Sequence, residues 1–323
     1  MNGKARIKIS SGIPPDETLF EKSIRRASQG LSGKTSADYD VLLHRPDSMA
    51  RNTVETNELP TVLLIGGHPR SGTTMLNWIC NTHPKIFVTQ ELKCYVKLDV
   101  PKKVHLKAIN KHGRMWVKIL LNLQILLTSS RRTWLRWFRS AYISYRYYWR
   151  IRLLRKRKID ACDVTRQLAA LYPNAAIVGD KYPGYVFMLD RLVDIPSVRI
   201  VIIYRDCRDV VNSCMKKYQG RWRGTIFGLQ LGTPEGAARN WVRAIKSMEK
   251  FSGNIHTIQY ESLISNPEKE LAGLGKWLGV EPEGFDSSMI HKDSIGRHRN
   301  ELNINDLTVI DEIAGKQQRI LGY

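Results

Sequence analysis

TVLLIGGHPRSGTT, residues 61–74, is the stretch on which the fold turns. It opens as a short apolar run of the kind that forms a buried strand, passes through a glycine-flanked turn, and leads into a helix carrying Met75, Leu76, Trp78 and Ile79 as far as Asn81. Gly67 and Gly72 bracket four residues, the spacing of a nucleotide-binding phosphate loop. Their missing side chains let backbone N–H groups converge on an anion at a helix N-terminus. Where the common kinase or ATPase loop has Lys followed by Ser or Thr, this one has Thr73 and Thr74. The absent Lys weakens an ATP-plus-magnesium reading, and Arg70 offers a guanidinium to an oxyanion instead.

Beyond this unit, strand-like segments lie at 85–91, 175–181, 199–205 and 255–260, and helical patterns at 185–192, 207–217, 235–251 and 267–278. Apolar strands alternating with helices predict an α/β fold: a P-loop NTPase-like parallel sheet flanked by helices. In such sheets ligands sit beyond the carboxyl ends of the strands, where the 67–74 loop, Lys181, Arg205 and Tyr260 all fall. Residues 1–58 read as a polar N-terminal arm with a short helix around Glu17 to Gln29, and 59–323 as the main domain.

The 323-residue chain carries a formal net charge of +21, unevenly spread. Residues 101–160 hold 17 Lys or Arg against a single acid, Asp160, and read as a basic helical insertion that faces something anionic. Trp134, Phe138, Ala141, Tyr145 and Trp149 recur there at helical spacing. Arg interleaved with aromatic residues suits nucleic acid, but an amphipathic helix with its aromatic stripe packed on the sheet and its Arg face solvated is the preferred reading. Recruitment of an acidic acceptor, a polyanionic glycan or an anionic lipid headgroup, is compatible with it. The apolar run 115–128 is too short for a membrane span and contains Lys118, Asn122 and Gln124. With no signal-peptide pattern at the start, the expectation is a cytoplasmic protein with peripheral contact at the inner membrane surface. Five scattered Cys imply free thiols, His83 reads as structural, and no set of His, Cys and carboxylates has metal-ligand spacing, so no metal is expected.

HPRSGTT resembles the 5′-phosphosulfate loop of sulfotransferases that use 3′-phosphoadenosine-5′-phosphosulfate (PAPS). VRIVIIYRDCRDVVNSCM, residues 198–215, resembles their 3′-phosphate segment, and IQYESLISNPEKELAGLGKWLGV their segment near the adenine. SIGRHRNEL, residues 294–302, resembles the loop that closes over the cofactor. The resemblance implies that Arg70, Ser71, Gly72, Thr73 and Thr74 hold the 5′-phosphosulfate, Arg205 and Ser213 the 3′-phosphate, and Tyr260, Ser294, Arg297 and Arg299 the rest of the nucleotide. Glu91, 21 residues beyond Arg70, matches the offset of the general base in tyrosylprotein sulfotransferases, and Lys181 in GDKYP matches the Lys that assists the leaving phosphate. The soluble small-molecule enzymes use a His after their third strand, where this chain has none. The activity this resemblance implies is sulfuryl transfer from PAPS, without metal, to a hydroxyl or amine of a carbohydrate or lipid-linked glycan. Protein tyrosine remains an alternative acceptor. Rival readings are a P-loop nucleotide kinase and a non-catalytic polyanion-binding protein.

Overall fold

The structure, a computed structural model, describes residues 59–109, 131–220, 224–290 and 295–323. The N-terminal arm with its expected helix, the 115–128 run and Ser294 lie outside the described residues.

Strand β1 (Thr61–Gly66) is the middle strand of the main sheet. Its unbroken apolar run is buried on both faces: Val62 and Leu64 point into one core cluster, Leu63 and Ile65 into the other. The loop after it feeds α1 (Thr73–Cys80) and then β2 (Ile86–Gln90). A two-strand ladder of β3 (Val100–Pro101) and β4 (Lys158–Ile159) brackets the basic region, which includes helix α2 (Arg131–Leu153). Helix α3 (Ala161–Ala169) then leads to β5 (Ile177–Lys181) and on to β6 (Val198–Tyr204). Helices α4 (Cys207–Gln219) and α5 (Pro234–Lys250) precede β7 (His256–Gln259), and α6 (Tyr260–Ser265), α7 (Pro267–Leu278) and α8 (Ile304–Ile320) complete the fold.

Strands β1, β2, β5, β6 and β7 form one sheet in the order β2-β5-β1-β6-β7, every pair parallel. The chain leaves β1 towards β2, on the β5 side, and leaves β6 towards β7 on the other side, so connections diverge between β1 and β6. That divergence opens a crevice at the carboxyl edge, where the 67–72 loop and Arg205 emerge side by side.

Three expectations need correction. The segment 185–192 is not one helix but the end of a 3₁₀ stretch, Pro183–Met188, followed by a single α turn, Leu189–Leu192. Strand β7 stops at Gln259, and Tyr260 opens helix α6 instead of ending the strand. On α2, Ile143, Tyr147 and Ile151 enter the core, whereas Tyr145, which the expected aromatic stripe placed on the packed face, is 42% exposed; the side chains of Trp134, Phe138 and Ala141 lie outside the described residues. His105 fixes that face, with its Nε2 3.3 Å from the buried Tyr147 hydroxyl.

Candidate active site

The loop after β1 is shaped by what it lacks. Gly67 has φ 150°, and a Cβ there would lie 2.3 Å from the Ile203 carbonyl oxygen. Gly72, at φ 97°, would drive a Cβ to 2.5 Å from the Tyr260 ring. Arg70 also takes a left-handed turn, φ 77°. The first turn of α1 has neither a side-chain cap nor an acidic residue, so its amides face the loop uncovered, and the buried Ser71 hydroxyl has no partner among the described residues. Donors left open at a helix N-terminus suit a bound oxyanion. His68, within the loop, is pushed down to about 4 by burial, with the Arg243 charge adding to it, and is therefore a neutral spacer near pH 7.

Arg70 turns from this loop to Ser213 on α4, its Nε donating to the hydroxyl at 2.9 Å. Burial lowers its affinity for a proton, and the nearby Arg205 cation lowers it further, against opposing contributions from Cys214 and Tyr260. Two guanidinium groups and a serine hydroxyl therefore converge between β1 and β6, an arrangement that an anion relieves.

Arg205, the residue after β6, is only 7% exposed. Its Nη2 donates to Asp209 at 3.0 Å, its guanidinium lies 4.5 Å from the centre of the Tyr260 ring, and its carbonyl accepts from the buried Trp241 indole at 2.9 Å. The Tyr260 ring thus neighbours both Gly72 and the Arg205 guanidinium.

Glu91 follows β2 directly, at φ 55°. A fully buried Asp180 imposes that turn: its carboxylate accepts from the Leu92 and Lys93 amides at 3.0 and 2.8 Å, from Thr89 at 2.6 Å and from the Tyr185 hydroxyl at 2.7 Å. Burial raises the Asp180 affinity for a proton while these four donors pull it back. With its backbone held, Glu91 places Oε1 2.8 Å from Lys181 Nζ, which also donates to Thr74 Oγ1 at 3.3 Å. Lys181 is completely buried and the Glu91 side chain one-third exposed, so the carboxylate reaches solvent at the mouth of the site.

Glu91, Arg70, Lys181, Ser71, Gly72, Thr73, Thr74, Arg205, Ser213 and Tyr260 are therefore brought together at one edge of the sheet. Arg297 and Arg299 are exposed on the nearby C-terminal segment. Sequence reasoning missed Asp180, Asp209 and His298. Asp209 alone had a local signal, since RDCRD sets it four residues after Arg205 on a helical pattern.

The model of the sulfotransferase family matches residues 60–284, well over half of the chain. The chain belongs to the sulfotransferase family. A search of curated proteins gave no match. Among solved structures, this sulfotransferase is similar to STF9 from Mycobacterium avium, at 13% identity over 88% of this chain and 79% of that one, TM-score 0.45. It is also similar to the sulfotransferase domain of the Synechococcus PCC 7002 olefin synthase, at 17% over 78% and 86%, TM-score 0.41. The mouse sulfotransferase SULT7A1, solved in complex with PAP, is 13% identical over 80% and 85%, TM-score 0.40. Among the described residues no helix is long and apolar enough to cross a membrane.

Proposed function

We propose that this sulfotransferase uses PAPS as its donor and that Glu91 activates the acceptor. The observation that carries the reading is the Lys181 ammonium, which touches Thr74 of the anion loop on one side and Glu91 on the other. One buried cation thus joins the group that holds the donor to the group that takes a proton.

PAPS supplies the sulfuryl group. The loop amides, Ser71 and Arg70 would bind the 5′-phosphosulfate and offset charge on its equatorial oxygens. Glu91 accepts the proton of the acceptor hydroxyl or amine as the new bond to sulfur forms. The sulfur–oxygen bond to the 5′-phosphate breaks in line, and Lys181 donates to the departing oxygen. Arg205 and Ser213 would bind the 3′-phosphate at the other side of the crevice. No step in this scheme requires a metal.

For the acceptor, the support is electrostatic. The 101–160 region, with its 17 basic residues and one acid, includes cation–aromatic pairs on α2, Arg146 over Tyr142 and Arg152 over Trp149. Such a surface suits an acidic or membrane-associated glycan. Incubation with PAPS labelled in the sulfuryl group and a fractionated cell extract tests both halves. Label transferred to an acidic glycan or glycolipid is the expected result, label on protein tyrosine would redirect the acceptor, and no transfer to any fraction, with no binding of 3′,5′-ADP, would overturn the donor.

A further inference from the structure

Arg205 is anchored from behind by a carboxylate that also holds a distant part of the chain. Asp209 is 2% exposed and takes two donors on each oxygen. Oδ2 accepts from Arg205 Nη2 at 3.0 Å and from the Gly296 amide at 2.8 Å. Oδ1 accepts from the His298 amide at 3.1 Å and lies 2.9 Å from His298 Nδ1. His298 is itself buried, and Gly296 turns through φ 72° to bring both amides onto the carboxylate. The flanking Arg297 and Arg299 side chains remain exposed.

We infer that Asp209 is a positioning residue that joins 3′-phosphate recognition to docking of the 295–299 segment, with His298 as the latch. The inference rests on the PAPS reading. Held at one nitrogen by Asp209 and covered on one face by Tyr260, the Arg205 guanidinium has its orientation set before a ligand arrives. A flexible Arg would lose that freedom on binding, and an unlatched segment would leave two cations, Arg297 and Arg299, without a fixed place at the rim. Asn at 209 keeps the shape but turns one acceptor oxygen into a donor, so two of the four donors lose their partner.

Calorimetry with 3′,5′-ADP and 5′-AMP, which differ by the 3′-phosphate alone, tests this on the full chain. Asp209→Asn and His298→Ala are expected to weaken 3′,5′-ADP roughly tenfold or more. Both should leave 5′-AMP within about twofold, as for an uncoupled site. His298→Asn, whose amide can donate where Nδ1 did, is expected to recover most of the loss. Amide exchange at Gly296 and His298 should slow when 3′,5′-ADP binds, and should not do so in Arg205→Ala. An unchanged preference for 3′,5′-ADP in folded Asp209→Asn and His298→Ala overturns the inference, as does an equal loss for both nucleotides. If Asp209→Asn does not fold, the His298 pair decides alone. A wild-type protein with no preference for 3′,5′-ADP overturns the PAPS reading itself and the inference with it.

Discussion

The two proposed anion grips of this site are made of opposite materials. The loop after β1 is backbone and empty space, with Gly67 and Gly72 at positive φ, no side-chain cap on α1 and an uncommitted Ser71 hydroxyl. The rim after β6 is a lattice of side chains, in which Arg205 meets Asp209, Tyr260 and, through its carbonyl, Trp241. The loop is therefore sensitive to added atoms and the rim to removed ones. Their meeting point is Arg70 on Ser213, a bond across 143 positions of sequence.

The largest expected effect leaves both grips intact. Glu91→Gln should lower kcat by roughly 10²- to 10⁴-fold, the usual worth of a general base, with 3′,5′-ADP binding as in wild type. Full turnover in that variant would strip Glu91 of its role.

Gly72→Ala adds one methyl group to the loop. The positive φ and the 2.5 Å approach to Tyr260 together predict a loss of about 2–4 kcal/mol in urea unfolding. Combining it with Tyr260→Ala should relieve the collision but not the strain, giving a non-additive double mutant. Strict additivity would break the claim that the ring limits the loop.

Arg205→Lys keeps the rim's charge and removes its fork. Affinity for 3′,5′-ADP should fall by about 1.5–3 kcal/mol, roughly 10- to 150-fold in calorimetry. An unchanged affinity would make the rim a matter of charge alone.

The smallest effect is in pH. Burial opposes ionisation of Asp209, but hydrogen bonds from His298 and Gly296 and the Arg205 charge outweigh it and hold the carboxyl below its ordinary range. Its contribution to stability is thus complete above the ordinary carboxylate range and is lost as pH falls through the lowered folded value. Asp209→Asn should flatten the acid limb of a plot of Tm against pH, and an acid limb as steep as wild type would contradict this linkage.

Much of the first grip was legible because its signals are local. An apolar run, two glycines at fixed separation and a helical pattern act within a dozen residues; strands β1, β2 and β5 lie within their expected segments, and β6 is displaced from its own by one residue. Lys181 and Arg205 could be placed at the carboxyl edge for the same reason. The rim was half legible: the 3′-phosphate roles proposed for Arg205 and Ser213 came from a resemblance, while the carboxylate behind Arg205 did not. On α2, helical spacing foresaw a helix with a packed face but put Tyr145 on it, where the fold exposes that ring and packs Ile143, Tyr147 and Ile151 instead, because which face meets the core is decided by distant elements and not by the helix itself.

The strand–loop–helix unit, the parallel α/β class, the basic character of 101–160 and the candidacy of Glu91 could all be read along the chain. Only the folded arrangement made Asp180 bend the chain to aim Glu91, divided Asp209 between Arg205 and His298, and set Tyr260 beside both grips. The physical reason is range. Backbone conformation and burial pattern follow from neighbours along the chain, whereas a buried carboxylate collects its donors from wherever the sheet and helices bring them, 89 residues away for His298.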